Sequence, residues 1–369
     1  MEKCSFSMVL STFLIVFILA SCYNNYNNYN NLKKNEILTT VTILQNAPDY
    51  EGNVINLDKP WEKRISFPCI CKNTDTNMYY MYYSVWTDNS DNPFVNCVAL
   101  SSDGLTWNKP SLTIQKWGGK ETNIISNEYE NFTVSYYDGI FYLVGYKREG
   151  KKETVIMISK NGINFEDKVN TINYVCDSSN ELLKKGNKFY LYLRSWYEPK
   201  NENIEYHHIY NGYKVYRSVS LIKMDSINQE IYNQTNKLFI WGDSLYSALT
   251  DEFYPIVMKN TSDDDYDIYN PCIHIYNDGS VIAYPILYYH TDSENGNDGY
   301  SKIGLYTSKN LERFEQVDNK YIESDYWLEF AQGHYEDEYK YIHYYVKTNK
   351  THGSPEKCET ELRARVHYK

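Results

Sequence analysis

The stretch Ser101–Trp107, which reads SSDGLTW, decides the fold because it recurs along the chain. A second copy is Ser159–Phe165 (SKNGINF), and a third, less regular copy is Ser308–Phe314 (SKNLERF). Each copy follows an apolar, strand-like run and ends on an aromatic residue, a spacing typical of strand, tight turn and strand. If the distance between the first and second copies is one repeat unit, the third copy lies about three such units after the second. The repeat predicts a fold built from equivalent β-units.

Five such units follow one another from about Val41, each made of apolar, aromatic or β-branched runs separated by polar clusters. Asp138-Gly139 and Asp278-Gly279 supply hairpin turns. The predicted strands are Phe67–Lys72, Met78–Trp86 and Val95–Ser101; Phe132–Tyr137, Ile140–Tyr146 and Thr154–Ser159; Glu181–Leu183, Lys188–Ser195 and Tyr213–Lys223; Cys272–Tyr276, Val281–Tyr289 and Ser301–Thr307; Trp327–Gln332, Tyr339–Val346 and Glu361–Tyr368. The pattern predicts an all-β protein, a five-bladed β-propeller, with a β-sandwich as the alternative.

Length and charge narrow the class of protein. The chain has 369 residues, 42% of them hydrophobic, and all-β chains of this size often form one domain. The formal net charge is -11, and no Lys/Arg-rich run is present that could neutralise a phosphate backbone. We therefore expect no nucleic-acid partner, and we expect a monomer.

The N-terminus predicts export. Lys3 precedes an apolar run, Met8–Ala20, that closes on small residues, which is the form of a secretory signal and is too short for a membrane span. The segment Leu19–Cys22 (LASC) resembles the bacterial lipobox, in which the cysteine, here Cys22, is lipidated and begins the mature chain. An ordinary signal peptide with a chance cysteine is the alternative. The resemblance implies a lipoprotein anchored to the membrane of the bacterial cell envelope.

These features divide the chain into three parts. Residues 1–21 are the predicted lipoprotein signal peptide, residues 22–40 the lipidated cysteine with a Tyr/Asn-rich flexible tether, and residues 41–369 one propeller domain. Six further cysteines are scattered, so we expect buried free thiols: Cys69, Cys71, Cys97, Cys176, Cys272 and Cys358. Cys69 and Cys71 lack a second ligand pair, and the sequence predicts neither a metal site nor a cofactor.

Several segments, in order, resemble a known family. They are Met78–Ser84 (MYYMYYS), Val98–Pro110 (VALSSDGLTWNKP), Gly118–Asn123 (GGKETN), Asp177–Asn180 (DSSN), Lys188–Arg194 (KFYLYLR), Asp251–Pro255 (DEFYP) and Leu287–His290 (LYYH). Together they resemble the five-bladed propeller superfamily of invertases, arabinanases and levansucrases, and look closest to bacterial proteins similar to the propeller of family 32 glycoside hydrolases. The six-bladed sialidases have a similar Asp-box but place one residue between Asp and Gly, whereas Asp103 and Gly104 are adjacent.

The resemblance implies glycoside hydrolysis outside the cytoplasm, although the invertase motifs are not reproduced. Invertases carry a Trp-x-Asn-Asp-Pro-Asn-like motif with the nucleophile, and this chain offers only Leu57–Trp61 (LDKPW) in that region. The Arg-Asp-Pro and Glu-Cys motifs are absent. Fold and catalytic residues must therefore be considered separately.

Glycoside hydrolysis needs two carboxyl groups on either side of the scissile bond, and a propeller brings them from different blades. Asp177, at the start of a family-like segment, is the first candidate, as base or transition-state stabiliser; its alternative role is to cap a turn. Glu252 is the candidate general acid, and a solvated position at a blade edge is the alternative. Asp58 is the third candidate because first-blade carboxylates are nucleophile or base in this superfamily, but an Asp before Lys-Pro is also common in turns.

Candidate sugar-binding residues are aromatic or cationic. Arg194 could orient a carboxylate or a sugar hydroxyl, or form a surface ion pair. His290 could lie near the axis, although a single His at a strand end is often structural. Aromatic rings stack on the apolar faces of sugars, but with aromatic residues at 16% of the chain each could equally belong to the core. The aromatic candidates are Trp61, Trp86, Trp196 and Tyr254.

Two classes of function remain open at this point. The first is a surface-anchored glycosidase that uses paired carboxylates and no organic cofactor. The second is a non-catalytic lipoprotein that binds a glycan or a protein on a degenerate propeller, and a purely structural surface protein is a third. Two or three carboxyl groups facing one funnel would favour the first.

Overall fold

The computed structural model of the chain is built almost entirely of β-strands. It describes residues 40–147, 153–172, 178–197, 209–210, 213–214, 216–229, 231, 237–241, 244–248, 256–260, 266–291, 298–354 and 358–369. One short helix covers residues 40–45. Within these ranges, no helix has the length and apolar character needed to cross a membrane. The first strand, β1, is Tyr50–Ile55.

The first blade is an antiparallel sheet in which β3 is buried on both faces. Its strands in order from the axis are β2 (Arg64–Asn73), β3 (Met78–Trp86), β4 (Phe94–Ser101) and β7 (Ile124–Ser126), and a hairpin of β5 (Leu112–Trp117) and β6 (Lys120–Thr122) lies between β4 and β7 in the chain. Tyr82 and Tyr83 are both fully buried although successive strand residues point to opposite faces. The aromatic run MYYMYYS therefore packs against the blades on both sides.

The second blade is the most regular. It consists of β8 (Tyr129–Tyr137), β9 (Ile140–Lys147), β10 (Glu153–Ser159) and β11 (Asp167–Ile172), each paired with the next. Asp138 and Gly139 join β8 to β9 with φ values of 53° and 80°. Positive φ at both central residues is what a tight hairpin turn requires, and the predicted turn is confirmed.

The third blade is enlarged by two hairpins. Its sheet is β12 (Glu181–Lys185), β13 (Lys188–Tyr197), β16 (Tyr216–Met224) and β19 (Ile256–Met258); the hairpins are β14 (Ile209–Tyr210) with β15 (Tyr213–Lys214), and β17 (Lys237–Trp241) with β18 (Ser244–Ala248). The extra length explains a wrong prediction. The second and third copies of the repeat lie in blades 2 and 4, two units apart and not three, because blade 3 is longer than the others.

The fourth blade has its two innermost strands in pieces. These are β20 (Asp267–Ile268) and β21 (Ile273–Ile275) at the axis and β22 (Val281–Ala283) and β23 (Ile286–His290) next to them, followed by β24 (Gly299–Ser308) and β25 (Phe314–Ile322). The break between β22 and β23 falls at Tyr284 and Pro285. A proline has no N–H for the sheet ladder, so the run predicted as one strand becomes two.

The fifth blade closes the ring with both ends of the chain. It contains β26 (Leu328–Phe330), β27 (Tyr335–Glu336), β28 (Lys340–Thr348) and β29 (Thr360–Tyr368). Strand β1 pairs with β29, with Tyr50 opposite Val366, and supplies the outermost strand. The N-terminal strand is thereby held in the C-terminal blade.

The core of the described part consists of five clusters, and each joins two neighbouring blades. They contain Ile65 with Tyr344, Cys71 with Phe141, Ile156 with Leu191, Val219 with Leu287, and Ile303 with Phe330. The five contacts complete the circle from blade 1 back to blade 1. The all-β, five-bladed propeller predicted from the sequence is confirmed, and the β-sandwich is excluded.

The repeated motif joins blades as well as forming a turn. In the first copy, Asp103 Oδ1 accepts hydrogen bonds from the Leu105 and Thr106 backbones at 2.8 and 2.7 Å. The Gly104 carbonyl accepts the Tyr344 hydroxyl of blade 5 at 2.7 Å. The other copies repeat this contact: Gly162 O accepts Tyr82 Oη of blade 1 and Leu311 O accepts Tyr192 Oη of blade 3, both at 2.8 Å. Each motif is thus fastened to the second strand of the preceding blade.

Candidate active site at the top of the axis

The innermost strands of all five blades begin at the same end of the propeller axis, which we call the top, and turn into their neighbours at the bottom. Three of them are distorted near their top ends. Phe67, Asn131 and Cys272 have φ values of 48°, 51° and 45°, a left-handed conformation that is costly for residues other than glycine. The pairing registers shift beside Phe67 and Asn131. Such bulges redirect side chains and are common beside functional sites.

A cavity of about 330 Å³ opens at this end, and four blades line it. Two acidic residues, Glu130 of blade 2 and Glu329 of blade 5, are among the residues around it. Arg64 of blade 1 supplies a cation. The other lining residues are Ile65, Ser66, Phe67, Trp86, Asn131, Tyr269, Trp327, Thr348, Thr351, His352, Gly353, Ser354, Cys358 and Thr360.

Glu329 links blade 5 to the distorted start of blade 1. Its Oε2 accepts the Phe67 backbone N–H at 2.6 Å, and its Oε1 accepts the Trp327 indole N–H at 2.9 Å. The residue is 6% exposed. Burial raises the pKa of the Glu329 carboxyl, and the two hydrogen bonds and the Arg64 charge offset that rise only in part. The cavity is therefore lined by a carboxyl group whose pKa lies above its ordinary value.

An aromatic wall stands beside Glu329. The Trp327 ring lies 5.4 Å from Tyr269, 4.9 Å from Tyr288 and 4.5 Å from His352, measured between ring centroids. Trp327, Tyr269 and His352 all line the cavity. Flat aromatic faces of this kind suit the apolar face of a sugar ring.

A buried charged cluster supports the wall from behind. Asp267 accepts hydrogen bonds from the Arg217 backbone and from Arg217 Nη1 at 2.9 and 3.0 Å, and its Oδ2 lies 2.9 Å from His290 Nε2. Asp267 is fully buried. The Arg217 guanidinium lies 5.3 Å from the Tyr269 ring centroid and 5.4 Å from that of Tyr288. This cluster holds the aromatic wall between blades 3 and 4.

Two of the predicted sugar-binding residues lie at this end. Trp86 lines the cavity, with the Arg64 guanidinium 4.8 Å from its ring centroid. His290 belongs to the buried cluster. Arg194 is 4% exposed on β13, opposite Val219, and its backbone N–H donates to Asn180 Oδ1 at 3.3 Å. Arg194 is thus a buried residue of blade 3 and not a surface residue.

Asp58 and Trp61 lie elsewhere, among the residues that tie the N-terminal segment to blade 1. Asp58 is exposed and pairs with Lys109 at 2.8 Å, and the hydrogen bond from Lys109 is the main cause of its lowered pKa. Trp61 is buried, and its indole N–H donates to Asn123 Oδ1 at 3.2 Å. Neither residue lines the top cavity.

The remaining candidates lie outside the described residues. These are Asp177, Glu252, Tyr254 and the lipidation candidate Cys22, together with the side chain of Trp196, whose backbone lies in β13. Ser178–Asn180 is described and leads directly into β12 at the top. Asp177 precedes that segment.

The sequence reasoning did not single out Glu130, Glu329, Asp267 or Arg217. A signal was available for Glu329, because it stands two residues after Trp327 at the start of a predicted innermost strand, where both side chains share a face. Asp267 similarly precedes an apolar strand. Neither carboxylate matched a family segment.

Five of the six cysteines predicted as free thiols lie in the described residues, and Cys176 lies outside them. Cys69, Cys71, Cys97 and Cys272 are free and buried, as predicted, and Cys358 is free and half-buried. Burial raises the pKa of the Cys69 thiol to about 12. In the described ranges, no group of three or more His, Cys, Asp or Glu side chains is arranged to hold a metal ion.

Comparison with known proteins bears on the fold. No protein-family model and no curated protein sequence matches the chain. A solved hypothetical protein from Leishmania major is similar, with a TM-score of 0.50 at 8% identity over 89% of this chain and 93% of its own. A glycosyl hydrolase from Bacteroides ovatus has a TM-score of 0.48 at 10% identity, covering 84% and 88% of the two chains.

A GH32 β-fructofuranosidase from Bombyx mori has a TM-score of 0.49 at 11% identity, over 93% of this chain and 67% of that one. The five-bladed propeller that the resemblance implies is confirmed by the chain's own sheets, not by these similarities. Identities this low say nothing about the reaction.

Proposed function

We propose that this protein is a glycoside hydrolase that acts on an oligo- or polysaccharide through carboxyl groups at the top of the axis. One observation carries the proposal: Glu329 and Glu130, from blades 5 and 2, line the same cavity beside an aromatic wall. Two carboxyl groups at one site are the minimum that glycosidic hydrolysis requires.

The two groups differ in environment, and this difference suggests their roles. Glu329 is buried with a raised pKa, so it is the general acid that protonates the glycosidic oxygen as the bond to the anomeric carbon breaks. Glu130 is half-buried. It takes the complementary role, either as the base that removes a proton from the attacking water or as the nucleophile. Asp177 would add a third carboxylate from blade 3, as the sequence predicts.

Substrate binding follows from the same wall. Trp327 and Tyr269 offer ring faces to a sugar, and Arg64 can donate to its hydroxyl groups. We therefore expect a carbohydrate partner. The similar glycoside hydrolase structures agree with this chain in fold, and the proposal itself rests on the residues of the cavity.

The test is release of reducing sugar from a panel of glycans by the purified full-length chain. Glu329→Gln should lower turnover at least about a hundredfold, since it removes the acid. Glu130→Gln should also lower it, and Asp177→Asn and Glu252→Gln test the two sequence-based candidates. Wild-type activity should fall as the pH rises through the raised pKa of Glu329.

Glu181→Gln is the matched control. Glu181 is another fully buried glutamate near the axis, but it lines a separate cavity at the bottom and should leave turnover unchanged. Turnover on no glycan, or equal turnover in Glu329→Gln, Glu130→Gln and Glu181→Gln, would overturn the proposal.

A non-catalytic glycan-binding protein is the second candidate, and one feature favours it. Both carboxylate oxygens of Glu329 already accept hydrogen bonds, from Phe67 and Trp327. If that arrangement is rigid, the cavity binds sugar without protonating it. Glycan binding by isothermal titration calorimetry that survives Glu329→Gln, with no sugar released by the wild type, would select this function.

The location is proposed from the N-terminus. A lipid on Cys22 would hold the propeller, as a monomer, outside the cytoplasm on the bacterial envelope, with residues 22–40 as the tether. Expression in a bacterium should give a membrane-bound, lipid-labelled protein, and Cys22→Ala should release it. If the wild-type protein carries no lipid label, the lipoprotein hypothesis is wrong and the N-terminus is an ordinary secretory signal peptide.

A further inference from the structure

A second cavity, of about 460 Å³, lies at the bottom of the axis and is formed by all five blades. It shares no lining residue with the top cavity. Its walls are rich in tyrosine and histidine. Its lining includes Tyr79, Ser135, Glu181, His274, Tyr276, Gln332 and His334.

Hydrogen bonds between innermost strands draw the blades together beside this cavity. Ile70 N–H donates to Gln332 O at 2.6 Å, joining blades 1 and 5, and Ile273 N–H donates to Glu181 Oε2 at 2.8 Å, joining blades 4 and 3. The Thr133 hydroxyl donates to Asn180 O at 2.5 Å, joining blades 2 and 3. The walls of the bottom cavity are therefore fixed by the fold.

His274 presents an unsatisfied acceptor to this cavity. It is 1% exposed, and its Nε2 lies 3.1 Å from Ala331 O, an acceptor, so Nε2 carries the proton. Burial lowers the pKa of the imidazole well below its usual range, which keeps the ring neutral. Nδ1 is then an acceptor, and it has no hydrogen-bond partner in the part of the chain that the structure describes.

Gln332 and Ser135 each contribute one more buried polar atom without a hydrogen-bond partner in the described part of the chain. The Gln332 side-chain Nε2 donates to Ser179 O at 3.0 Å, which leaves Oε1 as an acceptor. Gln332 Oε1 and Ser135 Oγ also have no hydrogen-bond partner among the described residues. Buried polar atoms are normally satisfied, so three such atoms on residues that line one cavity point to a site for a molecule with several hydrogen-bond donors.

The ionisable groups that line the cavity already have partners within the protein. Glu181 accepts the Ile273 N–H at 2.8 Å, and Glu336 pairs with Lys369 at 2.8 Å. Lys184 pairs with Asp138, and Lys72 lies 5.1 Å from the Tyr79 ring centroid. These pairings favour a neutral occupant.

The size and the aromatic walls favour a ring. Tyr276 lies 4.3 Å from His334, and His334 stacks on His274 at 4.9 Å, so a continuous aromatic surface faces the cavity. Small-molecule sites typically measure roughly 300–1,000 Å³, and 460 Å³ lies in that range. A compact molecule with hydroxyl donors and one apolar face matches both the polar atoms and the walls.

We propose that the bottom cavity is a binding site for a small, neutral, polyhydroxylated molecule of the monosaccharide or sugar-alcohol class. Its hydroxyl groups donate to His274 Nδ1 and Gln332 Oε1 and bond with Ser135 Oγ. The site is independent of the carboxyl groups at the top and catalyses nothing.

The test is equilibrium binding to the full-length chain by isothermal titration calorimetry and thermal unfolding. The probes are D-glucose, D-mannose, D-fructose, L-arabinose, myo-inositol and glycerol, with D-glucuronate as the charged counterpart of glucose. At least one neutral probe should bind saturably and raise the unfolding temperature, and glucuronate should bind more weakly than glucose. Gln332→Met and Ser135→Ala should each weaken binding about tenfold, the loss expected for one hydrogen bond.

Ser280→Ala is the matched control, because Ser280 is a buried serine whose hydroxyl has no hydrogen-bond partner in the described part and which lines neither cavity. It should retain wild-type affinity, and Ser135→Ala keeps the test valid if Gln332→Met fails to fold. Four results would overturn the proposal: no saturable binding of any neutral probe; binding lost in Ser280→Ala but not in Ser135→Ala; an effect that needs a divalent cation and disappears with EDTA; or a crystal soaked in the tightest probe that holds only water at His274.

Discussion

The two ends of the propeller axis are built from the same five strands but hold different chemistry. At the top, the buried polar groups include the Glu329 carboxyl and the ion pair of Asp267 with Arg217, which His290 also contacts. At the bottom, the carboxyl groups of Glu181 and Glu336 line the cavity together with neutral groups such as His274, whose Nδ1 has no hydrogen-bond partner among the described residues. We propose hydrolysis at the top, where two carboxyl groups stand beside an aromatic wall, and binding at the bottom, where neutral polar atoms without partners in the described part of the chain lie around the cavity.

A hydrogen-bonded network of tyrosine and histidine side chains lies behind the bottom cavity. The Tyr276 hydroxyl lies 2.6 Å from that of Tyr284 and 2.8 Å from His343 Nε2. The Tyr321 hydroxyl lies 3.2 Å from His343 Nδ1. Burial is the largest cause of the lowered pKa of His343, so its ring is neutral. A neutral ring can donate through one nitrogen and accept through the other, and both nitrogens have a hydroxyl partner.

The largest expected effect comes from breaking the charged cluster at the top. Asp267→Ala should lower the free energy of unfolding by about 3–5 kcal/mol, because it leaves the buried Arg217 guanidinium without its carboxylate. Chemical denaturation of both proteins measures the change. Asp58→Ala is the control, since its ion pair with Lys109 is exposed and should contribute less than about 1 kcal/mol. Equal losses in the two variants would show that the buried ion pair contributes no more to the free energy of unfolding than the pair of Asp58 with Lys109.

The second effect is a pH dependence that arises at the bottom. Burial raises the pKa of the Glu181 carboxyl to about 8, against 4.5 for an exposed glutamate. Between these values the folded state binds more protons than the unfolded state, so stability is greatest at low pH and is lost as the pH rises towards 8. From pH 5 to 7.5 the loss should be about 3 kcal/mol.

Glu181→Gln isolates this contribution. The variant removes the ionisation of Glu181, and the raised pKa of Glu329 stays in both proteins and cancels in the comparison. Unfolding free energies of the wild type and the variant should therefore converge at pH 5 and diverge, in favour of the variant, at pH 7.5. Parallel pH curves would mean that Glu181 is ionised in the folded protein.

A smaller effect should follow from removing one hydroxyl at the bottom. Tyr276→Phe leaves Tyr284 and His343 each short of one hydrogen bond, and should lower the free energy of unfolding by about 2 kcal/mol. Tyr339→Phe is the control, because Tyr339 is 66% exposed and should show no measurable change. Turnover should be unaffected in both variants. A neutral result for Tyr276→Phe would indicate that water replaces the hydroxyl.

The fold was predictable because its signals are local. Asp138-Gly139 specifies its own turn through two positive φ values, and the apolar and aromatic runs Met78–Trp86 and Ile140–Tyr146 form strands wherever they lie in the ring. The number of blades between motifs was not predictable. It depends on the hairpins inserted in blade 3, which have no relation to the repeat.

The candidate site was much less predictable, because its contacts join distant parts of the chain. Glu329 meets the Phe67 backbone across 262 positions, and Asp267 meets Arg217 across 50. Nothing in the residues around either carboxylate specifies these partners. Trp86 and Trp61 were selected by residue type, and Asp58 because first-blade carboxylates are nucleophile or base in the resembled superfamily. Trp86 lines the top cavity, whereas Asp58 and Trp61 make contacts beside blade 1.

The smallest expected effect on stability concerns the charge of Asp103 in the repeated motif, which lies at the bottom. Asp103 and Asn161 accept the same backbone bonds in copies one and two, at 2.7–2.8 Å and 2.9 Å. Asp103→Asn should therefore leave the free energy of unfolding at pH 7 nearly unchanged, whereas Asp103→Ala should lower it by about 1 kcal/mol.

The pH dependence of the same residue sharpens this test. Burial opposes the ionised form, but the hydrogen bonds from Thr106 and Leu105 outweigh it and lower the pKa of Asp103. Its contribution is then present above pH 4 and is lost as the pH falls through that lowered pKa. The Asn variant should lack this acid loss in thermal unfolding, and a loss equal to that of the wild type would place the acid sensitivity in other carboxylates.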